Sequence, residues 1–108
     1  MRDIDLMVEL LERMNSKPDG QILLLRHFNM SEEESKKYHN AELLSDAGLA
    51  IWKSDSAIRI SNDGYDFLNA VKQEHPKYID KAKELLGQGK TLLAVAKDII
   101  SIVNALAS

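Results

Sequence analysis

Apolar positions recur at helical spacing near the start of the chain, where Ile4, Met7, Val8, Leu11 and Met14 fall on one face between Asp3 and Asn15, widened by Leu6 and Leu10. This spacing predicts an amphipathic helix with its apolar stripe turned to a core. Pro18-Asp19-Gly20 then predicts a reversal, because proline presets the first turn residue and glycine accepts the conformation that closes it. The pattern changes next to "QILLL", a short apolar run directly after the turn, which predicts a short buried strand.

Ser31 and Glu34 stand three apart, as in a capping box, so a second helix starts there. Its periodicity places Tyr38, Ala41, Leu44 and Ala47 inward with Leu43 beside them, turns Glu32, Glu33, Lys36, Lys37, His39 and Asn40 outward, and stops at Gly48. "LAIWKSDSAIRIS" predicts a hairpin turning at Ser54-Asp55-Ser56. With Leu49 and Ile51 set inward alongside Ile58 and Ile60, the period of two puts Trp52 and Arg59 together on the opposite face, within reach of a cation–π contact. "SNDGYDFLNAVKQ" predicts a helix capped by Ser61, with Tyr65, Leu68 and Val71 inward.

His75-Pro76 predicts a break and a new short helix from Pro76 to Leu86, ended by Gly87. Thr91 caps a last helix, in which Leu92, Val95, Ala96, Ile99, Ile102, Val103 and Leu106 recur at helical spacing and Leu93 and Ile100 spread the arc. An arc this broad needs cover on more than one side, from the first helix, a second copy or another protein. The element order predicts an α+β fold, mostly α. The same order predicts a winged helix, with a small three-stranded sheet and wing hairpin, over residues 1–74, and a helical extension over 75–108 packed on that core or in a dimer interface. With 108 residues and 44% hydrophobic content the chain holds one modest core.

Three stretches carry a resemblance: "MRDIDLMVELL", "YHNAELLSDAGLAIW" and "ISNDGYDFLNAV". Over most of residues 1–74 the chain resembles a phage- and prophage-associated bacterial family known as domain of unknown function 2513. "LLSDAGL", the hairpin and "ISNDGYDFL" are also similar to the recognition helix, wing and following helix of many bacterial winged-helix regulators. These resemblances imply a fold, and through the regulators a helix-turn-helix mode of DNA binding.

Charge changes this picture more than composition does. The formal net charge is −3, and Glu32, Glu33, Glu34, Glu42 and Asp46 against Lys36 and Lys37 place the whole deficit in residues 31–49. In the DNA-binding expectation, Lys36, Lys37, His39 and Asn40 lie on the second helix and Lys53 and Arg59 on the wing, Asn40 reading adenine and the cations meeting phosphates. Glu32, Glu33 and Glu34 occupy the turn that would approach the duplex, and they oppose phosphate even though they suit the positive end of a helix dipole. The alternative is a protein-interaction module, adaptor or inhibitor, that contacts its partner through Trp52 on the wing and through Leu92, Val95, Ile99, Ile102, Val103 and Leu106. A homodimer through the first and last helices is the interface expected first.

The chain lacks cysteine, which removes disulfides and thiolate chemistry. Asp3, Asp5 and Glu9 interrupt the first apolar stretch, and Lys97 and Asp98 the last, so no membrane span is expected and a soluble cytoplasmic protein is. "GKT" at Gly89-Lys90-Thr91 imitates the end of a phosphate-binding loop, but Glu84 occupies the place of the first glycine, within a helix. His39 and Glu42 are too slight a pair for a metal site, and no nucleophile, base and acid stand at catalytic spacing. No enzyme activity and no cofactor are expected.

Overall fold

The computed structural model describes residues 3–25, 27–73 and 77–107. Its architecture is α+β and mostly helical, with a small antiparallel sheet. The elements run α1 (Ile4–Asn15), β1 (Gln21–Leu23), α2 (Glu32–Asp46), β2 (Ala50–Trp52), β3 (Ala57–Ile60), α3 (Asn62–Gln73), α4 (Lys77–Gly87) and α5 (Leu92–Ala107). Among the described residues no helix lies between β1 and α2. None is long and apolar enough to cross a membrane. The break expected at His75 and Pro76 lies outside the described residues.

The starts of α1, α2, α3 and α5 follow from local chemistry. Asp3 caps α1 by accepting from the Leu6 amide at 3.1 Å. Ser31 and Glu34 form the full capping box, each side chain accepting the other's backbone N–H at 3.1 Å. Ser61 accepts from Gly64 N at 3.0 Å and donates to Gly48 O at 2.6 Å, which fastens the start of α3 to the connection between α2 and β2. That junction is tight, since a Cβ on Gly64 would stand 1.9 Å from the Leu49 carbonyl oxygen. At the other helix joint Thr91 caps α5 through Ala94 N at 3.2 Å. Gly87 ends α4 as its last helical residue, while the left-handed residue that redirects the chain is Gly89, at φ 90°.

The sheet order is β1-β3-β2, antiparallel throughout. Ile51 pairs with Arg59, and Trp52 with Ile58. The hairpin therefore turns Ala50, Trp52, Ile58 and Ile60 to one face and Ile51 and Arg59 to the other. This corrects the expected parity of β2 by one residue. Leu49 is buried but belongs to the connection, where its amide donates to Leu44 O at 2.9 Å and its carbonyl accepts from Ser61 N at 3.1 Å, so the pleat begins at Ala50 and not at Leu49. Trp52 and Arg59 consequently stand on opposite faces and form no cation–π pair. The expectation of a buried β1 holds for Ile22 alone, because Leu23 is 68% exposed on a strand at the sheet edge and Leu25, beyond its end, is 65% exposed.

One continuous core joins all five helices to the inner face of the sheet. Met7, Leu10, Leu11 and Met14 of α1 meet Ala41 and Leu44 of α2, Ile58 of β3, and Phe67, Leu68 and Val71 of α3. Tyr78, Ile79, Ala82 and Leu85 of α4 and Leu92, Val95, Ala96 and Ile99 of α5 enter the same cluster. In α3 the inward aromatic is Phe67, fully buried, while Tyr65 is 48% exposed, contrary to its expected inward placement. The serine cap fixes the helix start so that positions 67, 68 and 71 point in and 65 falls on the flank.

Candidate interaction surface

The N-terminal turn of α2 is a site of charge neutralisation. The carboxylate of Glu34 that closes the capping box also meets His27 Nε2 at 2.7 Å. The hydrogen bond from His27, then those from the backbone and hydroxyl of Ser31, hold the Glu34 carboxyl down at a pKa of about 2. Lys36 Nζ lies 2.8 Å from Asp3 Oδ2, and Lys37 Nζ lies 3.6 Å from Glu33 one turn earlier. The hydrogen bond with Lys36, followed by that from Leu6 N, lowers the Asp3 carboxyl below its ordinary range, and the same ion pair raises Lys36.

Asn40 was expected on the outer face and is instead fully buried. Its Oδ1 accepts from the Asp3 amide at 2.9 Å and its Nδ2 donates to the Lys36 carbonyl at 2.8 Å. The side chain holds the start of α1 against α2 and has no edge left to offer a base. His39 is exposed on α2, and Lys53 and Arg59 are exposed on the hairpin. Among the described residues neither Lys53 nor Arg59 has an ion-pair partner.

Trp52 is half-buried. Its ring centroid lies 5.1 Å from that of Tyr38, and the Tyr38 hydroxyl donates to Asp55 O at 3.1 Å. These contacts hold the hairpin to α2, so Trp52 does structural work at the position proposed for a partner anchor. In α5, Leu92, Val95 and Ile99 are buried against neighbouring helices of the same chain and are not surface. Ile102 is 37% exposed, and the side chains of Val103 and Leu106 lie outside the described residues.

The apolar surface lies elsewhere. Leu23, Leu25 and Phe28 are exposed, Phe28 completely, and Ile51 is 42% exposed on the outer face of the sheet. Beside them a shallow cleft of about 270 Å³ runs between the segment after β1 and α2, lined by Leu24, Met30, Lys37 and Tyr38 among others. Sequence reasoning missed this surface. The run "ILLL" carried no signal for it, because the length of the strand and its place at the sheet edge decide which of those side chains are covered.

Lys90 of the "GKT" stretch pairs with Asp98 at 2.9 Å, and Glu84 lies within α4. Among the described residues no three His, Asp or Glu side chains gather in a group suited to a metal ion. No protein-family model, curated protein or solved structure matched the chain.

Proposed function

We propose that this chain is a non-enzymatic winged-helix module that binds a protein partner. The element order and the β1-β3-β2 sheet support the winged-helix reading, with α2 in the place of the recognition helix and β2–β3 as the wing. The resemblance to domain of unknown function 2513 points the same way. The observation that carries the choice of partner is the state of α2: Lys36 and Lys37 are each held by a carboxylate, Asn40 is buried, and three glutamates fill the first turn. A surface of this kind repels phosphate, on which nonspecific DNA affinity mostly depends. Contiguous apolar surface instead favours a protein contact.

Labelled random-sequence duplex DNA, titrated at low salt, tests this reading. The expected result is no binding at tens of micromolar protein. Salt-sensitive binding at that concentration would support the second reading, a DNA-binding regulator, which the unpaired Lys53 and Arg59 favour. In that event Lys53→Glu with Arg59→Glu should remove most of the affinity.

A further inference from the structure

Of the surfaces on this molecule, the outer face of the sheet combines exposed apolar groups with cations that no carboxylate answers among the described residues. Across the three strands the register sets Gln21, Arg59 and Ile51 in one row. Leu23 pairs with Ala57 in the next row, and the Lys53 amide donates to Ala57 O at 2.8 Å, which brings Lys53 alongside. Ala57 contributes only a methyl group, so this second row is low in the middle, between a leucine and a lysine. Neighbouring strands lie about 4.8 Å apart, which makes the face about 10 Å wide.

The edge of the sheet adds a second feature. Leu24 N donates to Ser56 O at 2.7 Å and Ile60 N donates to Gly20 O at 2.9 Å, so even-numbered residues of β1 direct their backbone groups at β3. Leu23 then turns its N–H and C=O to the open edge, where an added strand would pair.

We infer that the outer sheet face docks an acidic, apolar-anchored peptide segment of a partner protein. This inference rests on the protein-binding reading above and names the chemistry of the partner. Leucine or aromatic side chains of the segment cover Leu23 and Ile51, its carboxylates meet Arg59 and Lys53, and its backbone takes up the free groups of Leu23. The occupant is acidic because of the charge that is present. Whereas α2 has already neutralised its cations internally, this face keeps two that have no ion-pair partner among the described residues, while the whole chain is net negative at −3. Nucleic acid would satisfy those cations but leave Leu23 and Ile51 uncovered.

The test uses the full chain, labelled with ¹⁵N, and a short synthetic peptide alternating glutamate and leucine. Its lysine-for-glutamate counterpart, duplex DNA and phosphatidylserine vesicles serve as comparison ligands. The acidic peptide should shift the amides of Leu23, Ile51 and Arg59, and Lys53→Glu with Arg59→Glu should weaken it about tenfold, with loss of its salt dependence. If the acidic and basic peptides bind alike, and Leu23→Ser with Ile51→Ser abolishes both, the charge assignment is wrong but the protein-binding surface stands. Absence of shifts at these residues at millimolar acidic peptide overturns the docking face, as does tighter binding of DNA or vesicles. The substitutions are on exposed side chains, and an unchanged spectrum elsewhere verifies that each variant is folded.

Discussion

Asn40 shows what a single polar residue can hold when it is buried with a bond made at each of its polar atoms. Replacing it with alanine leaves the Asp3 amide without its partner, while the Lys36 carbonyl keeps its helical bond, and a buried group left unsatisfied costs about 1–3 kcal/mol. The expected outcome for Asn40→Ala is a fall in melting temperature of about 4–8 °C for each kcal/mol lost, read by circular dichroism. His39→Ala, one position earlier and exposed, should leave the melting temperature unchanged. Glu34 yields a prediction in pH. Its carboxyl is held at a pKa of about 2 in the folded chain against an ordinary value of 4.5, so its contribution is complete above 4.5 and is lost as pH falls from there toward 2. Glu34→Gln should therefore flatten the dependence of unfolding free energy on pH across that window and leave it unaltered near neutrality. A slope equal to that of the parent chain would show that the contacts of Glu34 with His27 and Ser31 do not persist in solution.

At the scale of elements, the stops and starts of helices depend on close approaches more than on residue type. Gly64→Ala would drive a methyl group into the Leu49 carbonyl, where the backbone cannot yield as a side chain can. We expect a loss at the upper end of the roughly 1–3 kcal/mol typical of overpacking, measured by chemical denaturation. Gly87 and Gly89 should respond in opposite senses. Gly87 has ordinary helical geometry and open space around it, so alanine there should stabilise by about 0.5–1 kcal/mol, while alanine at Gly89 meets a positive φ and should destabilise. The periodic signal made α1, the Ser31 capping box and the apolar stripe of α5 legible in the sequence, because repeated spacing and local caps need no knowledge of neighbours. The parity of β2 was not legible, since it depends on where the chain leaves α2 and on the bond from Ser61 to Leu49. Nor was Asn40, whose burial is decided by a partner in α1 far away in sequence. The exposure of Leu23 and Leu25 was hidden for a related reason: an apolar run does not state whether its strand is central or at an edge.

For the whole molecule, the consequential fact is that α5 completes the common core. Leu92, Val95 and Ile99 each lose about 1.5–3 kcal/mol of burial if the helix is removed, and together these approach the entire stability of a small domain. A chain ending at Lys90 should consequently lose its cooperative thermal transition. Self-association, expected from sequence through the first and last helices, has only the exposed Leu93 and Ile102 left to it among the described residues of α5. Ile102→Ser should preserve the melting temperature, and sedimentation of the parent chain as a monomer at high concentration would remove the dimer. The contact between Tyr38 and Trp52 supplies a way to watch these changes. As the chain has a single tryptophan, its emission comes wholly from the seam between α2 and the hairpin and not from the interior around α1. A fluorescence melt therefore follows detachment of the hairpin, and a circular dichroism melt follows the helices. The temperature gap between the two curves would measure how independently the hairpin opens, with no label added to the chain.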